Sequence, residues 1–397
     1  MPATARPAWL RLAAPLLALA LSAAACGGEE AATEESEAPA AATDPTAAEE
    51  PTAAEEPSAS DDAASDGPAS STPSEDASEA AAGAPSGEPL TVYSGRSEEL
   101  VGPALELFTA STGIPVEVRY GDTAEVAAQI LEEGGNSPAD VFFGQDAGAL
   151  GALSEAEVLS PLPAELIEPV DERFRSTEDE WVGVSGRARV LAYNPERVPE
   201  EELPASVLDL TQPEWAGRVG WAPTNGSFQA FVTAMRVQLG EDAARQWLTD
   251  MQANDVQVFE NNAAQVEAVS RGEIDLGLVN HYYLYQLRSE SPDLQAENLY
   301  LTGGDPGALV NVAGVGVLGT TDQPDEAEAM VEWLLGDEAQ AYFAEETFEY
   351  PLVGEASAPE GAPALEEVQT PDLDLSELAD LEGTLTLLQE TGAVSGS

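Results

Sequence analysis

Basic residues are scarce in this 397-residue chain, and lysine is missing altogether. The 14 basic residues are all arginines, against 74 Asp and Glu, and the formal net charge is -60 at pH 7. Surfaces that bind nucleic acids are rich in Lys and Arg, so we expect no nucleic acid partner. The strong acidity bears on solubility and surroundings rather than on the fold.

Cysteine and histidine are each present once, as Cys26 and His281. A single cysteine cannot form an internal disulfide bond. The chain therefore lacks the residues for a His/Cys metal cluster or a cysteine–histidine catalytic pair, and it contains no GxSxG motif. From these absences we expect a protein that is not an enzyme.

Residues 1–25 have the pattern of a signal peptide. Arg6 and Arg11 supply the positive charge that precedes a short apolar run at residues 12–21. Small residues follow the run and end at Cys26. The run is too short for a comfortable membrane-spanning helix, and no later run is long enough. The position of Cys26 resembles the lipobox of bacterial lipoproteins, which implies lipidation of its thiol and a membrane anchor. A chance cysteine in a signal sequence is the alternative.

Residues 26–88 are predicted to be a disordered acidic linker that follows the lipidated cysteine. Beyond Cys26 the segment contains no aromatic residue, no Leu, Ile or Val before Pro89 and no positive charge, and PTAAEE occurs in tandem at 45–50 and 51–56. Such a segment cannot bury enough apolar area to offset the entropy lost on ordering. We expect it to hold the folded part away from a membrane, at the outer face of the cytoplasmic membrane or in the periplasm.

The remaining residues alternate short β-rich runs with amphipathic helical runs, which indicates an α/β fold with mostly parallel sheets. We predict a first lobe formed by residues 89–187 and 311–362, and a second lobe formed by residues 188–310 and 363–397. Open parallel sheets bind ligands beyond the carboxyl ends of their strands, so two facing lobes would enclose a cleft that closes by hinge motion. A helical stretch near the C-terminus, with Gly383 as its candidate break, would clasp one lobe.

The sequence Asn280-His281-Tyr282-Tyr283 follows a predicted strand and opens a predicted helix. A phenol has a pKa near 10 and rarely ionises alone, but a trivalent cation beside it favours the phenolate. Phenolate oxygen is a hard donor that suits such an ion. From spacing alone the alternative is a pair of core or rim aromatics, and His281 is expected to point elsewhere as a hydrogen-bonding group.

Seven stretches of the folded part resemble, in the same order, the ferric-ion-binding proteins of bacterial ABC iron importers. They are LTVYSGR (90–96), SPADVFFGQDAGALGALS (137–154), WVGVSGRARVLAYN (181–194), GRVGWAPTNGSFQAFV (217–232), GEIDLGLVNHYYLY (272–285), DPGALVNVAGVGVL (305–318) and EYPLV (349–353). The resemblance implies a two-lobed, type II periplasmic-binding-protein-like α/β fold, with hinge crossovers between two mixed parallel sheets. It also implies capture of Fe(III) as cargo, with an ABC permease and its ATPase as partners.

The resemblance assigns Tyr282 and Tyr283 as Fe(III) ligands, with phosphate or carbonate as a synergistic anion. The residues that match the anion site are Asn225, Gly226, Ser227, Asn262 and Asn280. Free N–H groups and the positive end of a helix dipole at residues 225–227 agree with this assignment. Without the resemblance, an ordinary helix N-cap is the simpler interpretation of these residues.

The chain departs from the family pattern in the first lobe. Where many members carry a histidine, this chain has Ser97 followed by Glu98, and Gln145 stands where some members have an acidic ligand. We treat Glu98 and Gln145 as further candidate metal ligands.

Three arginines, Arg96, Arg187 and Arg189, either steady the anion and brace the lobes or form structural ion pairs, and the sequence leaves both roles open.

The predicted function is that of a monomeric, lipid-anchored binding protein that delivers ferric iron to a membrane permease. The alternative within the same class is capture of a small organic or oxyanionic solute such as a phosphonate or a polyamine. Such a cleft would carry aromatic cages or paired acids on both faces, which the sequence does not clearly show.

Overall fold

The structure of this chain is a computed structural model that describes residues 87–394. The predicted signal peptide, Cys26 and nearly all of the predicted linker lie outside these residues. Among the helices of the described part, none combines the length and apolar content needed to cross a bilayer.

The described chain contains eleven strands and eleven α-helices. The strands are β1 (Leu90–Ser94), β2 (Val116–Tyr120), β3 (Val141–Gly144), β4 (Leu159–Ser160), β5 (Val182–Tyr193), β6 (Val219–Trp221), β7 (Gln257–Val258), β8 (Leu276–Asn280), β9 (Glu297–Leu299), β10 (Val310–Leu318) and β11 (Tyr350–Pro351). The helices are α1 (Glu98–Thr112), α2 (Thr123–Glu133), α3 (Ala147–Glu155), α4 (Ala164–Ile167), α5 (Gly226–Leu239), α6 (Glu241–Ala253), α7 (Asn262–Arg271), α8 (Tyr282–Glu290), α9 (Pro324–Leu334), α10 (Asp337–Glu345) and α11 (Leu381–Thr391). The predicted strand–helix–strand–helix–strand opening corresponds to β1, α1, β2, α2 and β3.

The strands form one mixed sheet with two parallel ends. Its order is β2-β1-β3-β10-β5-β8-β6-β7, and β4, β9 and β11 pair beside this path. Strands β2, β1 and β3 are parallel to one another, as are β8, β6 and β7, whereas β10 and β5 run antiparallel to their neighbours. We call the part on the β2 side of β5 the first half and the part on the β7 side the second half.

Strand β5 joins the two halves because it changes partner along its length. Residues up to Ala188 pair with β10, and from Arg189 onward the strand pairs with β8. All twelve residues of β5 are buried. The two predicted sheets are therefore continuous through this strand.

Alternation along β5 distributes its side chains between two cores of the second half. Leu191 and Tyr193 pack in one cluster, with residues of α5 and α6, whereas Val190 and Ala192 pack in another, with residues of α7. This follows from the period of two in a strand, which sends successive side chains to opposite faces. A third and larger cluster fills the first half.

The C-terminal segment contacts both halves. Leu375 and Leu378 lie in a short 3-10 helix and pack in the core of the first half, whereas Leu387 and Leu388 of α11 pack in the second half. The prediction that residues 363–397 belong wholly to the second lobe is therefore wrong for this stretch. The predicted break at Gly383 is also wrong, because Asp380 separates the two helices and Gly383 lies inside α11.

Hydrogen bonds fasten α11 to the second half. Thr384 shares a hydrogen bond of 2.7 Å with Thr233 of α5. Arg236, also on α5, donates to the Thr384 hydroxyl at 2.9 Å and forms an ion pair of 2.7 Å with Asp380. The lobe boundaries elsewhere stay a prediction.

The contact between α3 and the 3-10 helix depends on the absence of a side chain at Gly148. A Cβ atom there would lie 2.6 Å from the carbonyl oxygen of Leu378. We expect Gly148→Ala to lower the free energy of unfolding by about 1–3 kcal/mol, since a crowded backbone must shift. Denaturant unfolding of the purified chain measures this change.

Gly135→Ala is the matched control, because a Cβ atom at Gly135 would meet nothing within 4 Å. Equal stability of the two variants would contradict the inferred close contact.

Candidate functional site

Tyr282 and Tyr283 open helix α8 immediately beyond the end of β8. Tyr282 is buried and Tyr283 is half-buried, and their rings stack with centroids 4.4 Å apart and an interplanar angle of 30°. Stacking at the first turn of the helix holds the two phenol rings side by side. The structure thus brings the two predicted metal ligands together at the carboxyl end of a strand, as the sequence indicated.

Burial controls the protonation of Tyr282. It raises the pKa of Tyr282 well above the usual value, and the neighbouring Tyr283 raises it further, while the charge of Arg187 opposes the shift. The Tyr282 phenol is therefore neutral at physiological pH unless a cation approaches it. A highly charged cation would reverse this preference by stabilising the phenolate.

The predicted anion residues form one hydrogen-bonded network at the N-terminus of α5. Asn225 caps this helix, and its Oδ1 atom accepts from the backbone N–H of Ser227 at 3.1 Å. Asn262 donates from Nδ2 to Asn225 Oδ1 at 3.1 Å and to Ser227 Oγ at 3.3 Å. The start of α5, where the helix dipole favours an anion, is therefore held in a fixed shape. The N–H groups of Asn225 and Ser227 are both occupied, by the Ala222 carbonyl and by Asn225 Oδ1.

Asn280 is linked to this network through Arg189. The guanidinium Nη1 atom of Arg189 donates to Asn280 Oδ1 at 3.1 Å and to Ser227 Oγ at 3.3 Å. Burial lowers the pKa of Arg189 to about 9, and the two tyrosines partly offset this shift. Arg189 therefore keeps its positive charge at neutral pH.

A cavity of about 360 Å³ lies between the two halves and joins these groups. Residues of the second half on its wall are Thr224, Asn225, Gly226, Ser227, Gln229, Ala230, Thr233, Tyr282 and Tyr283. Residues of the first half are Gly95, Asp122, Thr123, Ala124, Gln145, Asp146, Gly148 and Ala149, and the C-terminal segment adds Leu378, Leu381 and Leu385. Asn262 and Asn280 lie behind the wall and support it.

Gln145 faces the cavity from the first half. Its backbone carbonyl accepts a hydrogen bond from Nη2 of Arg187, while its side-chain Oε1 atom is buried without a hydrogen-bond partner among the described residues. An unpartnered buried amide oxygen is a hard neutral donor. Gln145 thus occupies a position from which it could contact cargo held by the tyrosines.

Glu98 does not reach this cavity. It is exposed in the first turn of α1 and lines a separate depression with Glu106 and Tyr120. Its assignment as a further candidate ligand does not fit this geometry, because Glu98 is the first residue of α1 and its side chain lies over Gly102 on that helix.

Asp146 and three leucines also line the cavity, and none of them was predicted from the sequence. Asp146 caps α3 by accepting from the N–H of Ala149 at 3.2 Å. Burial raises the pKa of Asp146, whereas the charge of Arg187 lowers it. An aspartate before a helical run is a readable N-cap pattern, but nothing in the sequence places Leu378, Leu381 or Leu385 beside the tyrosines.

His281 is fully buried and does not line the cavity. Its Nδ1 atom accepts from the backbone N–H of Ala188 at 3.2 Å, and its ring stacks on Tyr350 with centroids 4.6 Å apart. Burial lowers the pKa of His281 to about 3, so the ring is neutral and serves packing. Residues 87–394 contain no cluster of three or more His, Cys, Asp or Glu side chains arranged to hold a metal ion.

Arg96 has a structural partner rather than a place in the anion network. It forms a fully buried ion pair with Glu349 at 2.9 Å, and Ser185 donates to the same carboxylate at 2.7 Å. Burial alone would raise the pKa of Glu349, but Arg96 and Arg187 hold it below its usual value. This pair ties the end of β1 to the segment that precedes β11.

Removing the carboxylate of Glu349 would leave the buried guanidinium of Arg96 without a counter-charge. We expect Glu349→Gln to lower the free energy of unfolding at pH 7 by about 3–5 kcal/mol. Chemical denaturation measures the loss. Asp171→Asn removes the exposed pair with Arg173 at 3.0 Å and should cost at most about 1 kcal/mol.

The effect of Glu349→Gln should also depend on pH. Because the folded-state pKa of Glu349 is lowered, its contribution is complete above the unfolded-state pKa of about 4.3 and is lost as the pH falls through the folded-state pKa. The difference between wild type and variant should therefore shrink on acidification. A difference that stays constant below pH ~4 would contradict the ionised pair.

Comparisons with known proteins agree with this arrangement. Residues 136–377 match the family described as bacterial extracellular solute-binding protein. The chain is 33% identical over 308 residues to the Fe(3+)-binding periplasmic protein of Serratia marcescens, covering 76% of this chain and 90% of that relative.

Two solved structures share the fold over most of the chain. Iron-bound HitA from Pseudomonas aeruginosa aligns with a TM-score of 0.72 and 35% identity, over 77% of this chain and 99% of that one. Trichodesmium IdiA (FutA), solved with iron and citrate ligands, aligns with a TM-score of 0.67 and 29% identity, over 77% and 99% of the two chains. These likenesses confirm the predicted two-lobed, periplasmic-binding-protein-like α/β fold.

Proposed function

This chain belongs to the bacterial extracellular solute-binding protein family, and from that premise we propose that it captures ferric iron together with an oxyanion for uptake into the cell. The observation that carries the proposal is the stacked pair of Tyr282 and Tyr283 in the same cavity as the capped N-terminus of α5. The Serratia relative is an Fe(3+)-binding protein and HitA was solved with bound iron, which supports the same cargo here.

The proposed chemistry depends on hard oxygen donors. Tyr282 and Tyr283 lose their phenolic protons as Fe(III) enters, and the two phenolates leave one unit of its positive charge. An oxyanion such as phosphate or carbonate, held at the N-terminus of α5, offsets this remaining charge. Gln145 and water are the candidates for the other coordination positions.

Transport would follow from closure of the two halves around the cargo. The cavity wall comes from both halves, so a ligand that contacts both walls binds the closed state more tightly and shifts the population towards it. We propose that the closed form docks on an ABC permease, which takes the iron with energy from its ATPase. This role is one of binding and delivery without chemical turnover.

The location that we propose is the cell envelope. Residues 1–25 would direct export, lipid on Cys26 would provide the anchor at the outer face of the cytoplasmic membrane, and residues 27–88 would act as the tether. The periplasmic location in the name of the Serratia relative supports export of this chain.

A small organic anion is the second candidate cargo. Leu378, Leu381 and Leu385 give the cavity an apolar side that a bare metal ion would not need. Isothermal titration of the iron-free protein with a panel of organic and oxyanionic solutes separates the two candidates. Tight binding of an organic solute, with no effect of iron, would favour the second.

Ferric loading should produce a visible charge-transfer band from phenolate to iron. We expect this band in the wild-type protein treated with ferric citrate, and its loss in Tyr282→Phe combined with Tyr283→Phe. Tyr193→Phe is the matched control, because Tyr193 packs in the core of the second half and is not part of the cavity wall. Saturating iron that gives no colour in the wild type would refute the proposed cargo.

Iron binding should also release protons and weaken on acidification. The Tyr282 phenol is neutral before loading, because burial raises its pKa above the usual value. Ligation of iron by this phenol should therefore release its proton and make the apparent affinity rise with pH. Competition with a chelator across a pH series, corrected for the chelator's own titration, measures the slope; an affinity independent of pH would argue against phenolate ligands.

A further inference from the structure

Arg187 and Arg189 lie on the same strand, yet their guanidinium groups have different partners. Arg187 donates from Nη2 to the backbone carbonyls of Gln145 and Val312, so it braces the loop after β3. Arg189 instead donates to Ser227 Oγ and Asn280 Oδ1, which both belong to the predicted anion site. Of the two, Arg189 is the one that is connected to the anion network.

The guanidinium of Arg189 can donate more hydrogen bonds than it makes within the described residues. Its side chain is buried, the whole residue being 3% exposed, and its Nε and Nη2 atoms have no hydrogen-bond partner within the described part of the chain. None of the ion pairs found among residues 87–394 includes Arg189. A buried positive charge without a carboxylate partner is costly, and a bound anion would compensate it.

Arg189 lies between an aromatic ring and the start of α5. Its guanidinium carbon is 5.6 Å from the Phe231 ring centroid, and its Nη1 atom donates to Ser227 in the first turn of α5. Arg189 does not itself line the cavity, because Ser227 stands between it and the open space. The Ser227 hydroxyl accepts from Arg189 and itself donates to Asn225 Oδ1 at 2.5 Å. Arg189 can therefore act on a ligand by fixing the position of Ser227 and through its electric field.

We propose that Arg189 is the positioning residue that sets the affinity of this site for an oxyanion, by orienting Ser227 and Asn280 and by supplying the buried positive charge behind the start of α5. The inference rests on the proposed function and adds to it the residue that determines anion binding. The candidate ligands are phosphate, carbonate and citrate. They share negatively charged groups with several acceptor oxygens.

The role of Arg189 has a consequence for the metal-free protein. Because the compensating charge belongs to the protein and not to the metal, an oxyanion should bind before iron is present. Arg189 would then lower the anion concentration that iron loading requires, without being a ligand of the iron itself.

The experiment is calorimetric titration of the full-length, iron-free protein with phosphate, bicarbonate and citrate in separate arms. We expect the wild type to bind at least one of these anions and Arg189→Gln to bind it at least about tenfold more weakly, since a charge-assisted interaction is lost. Arg189→Lys should recover part of the affinity, because it keeps the charge but not the planar guanidinium. Arg271→Gln, on the exposed part of α7, is the matched control and should bind like the wild type.

Readouts beyond stability separate positioning from a merely structural role. Circular dichroism and thermal unfolding establish that Arg189→Gln is folded, and iron is then added to each variant at increasing anion concentration. The charge-transfer band of Arg189→Gln should require at least about tenfold more anion and reach the wild-type intensity at saturation. If Arg189→Gln does not fold, Arg189→Lys and Ser227→Ala carry the test, and both should weaken anion binding.

Equal anion affinities in wild type and Arg189→Gln would overturn the inference. If Arg189→Gln does not fold, equal affinities in wild type, Arg189→Lys and Ser227→Ala would overturn it. So would a wild type that binds no anion until iron is added. These titrations contain no iron, so their outcome is independent of the ferric cargo. Failure of the cargo proposal would be seen separately, as a wild type without the charge-transfer band at any anion concentration.

Discussion

The polar face of strand β5 is the constraint on which the site depends. Ser185, Arg187 and Arg189 are spaced by two residues, so their side chains leave the strand on the same face. Each is bound to a different part of the molecule: Ser185 to Glu349, Arg187 to the Gln145 carbonyl, and Arg189 to Ser227 and Asn280. One strand thus fixes both walls of the cavity relative to each other.

This arrangement also explains how a strongly acidic protein could hold an anion. The formal net charge of -60 repels anions at long range and attracts cations such as Fe(III), to the extent that salt does not screen it. An oxyanion therefore needs a local source of positive potential. The start of α5, which shares the cavity wall with the phenols that would receive the metal, and the buried guanidinium of Arg189 behind it provide one.

The C-terminal segment adds a second connection between the halves. Leu378 packs against α3 of the first half, while Thr384 and Asp380 are bonded to α5 of the second half. Leu381 and Leu385 line the cavity between these attachments. Any closing motion of the halves must therefore bend or carry this segment along, in addition to twisting β5.

The sequence by itself determined the features that depend on local spacing. Alternating strand and helix patterns predicted the β1–α1–β2–α2–β3 opening, the adjacency of Tyr282 and Tyr283 was visible directly, and the Asn225 cap followed from residue type at a helix start. Local patterns suffice there because the interactions join neighbours in the chain.

Only the tertiary structure decided which distant residues meet. It separated the three arginines, pairing Arg96 with Glu349 across 253 positions while giving two Arg189 nitrogens no partner among residues 87–394. It placed Glu98 outside the cavity and brought Asp146 and Leu378 into it. These outcomes depend on sheet order and on the path of the C-terminal segment, which follow from packing of the whole chain and not from the spacing of nearby residues.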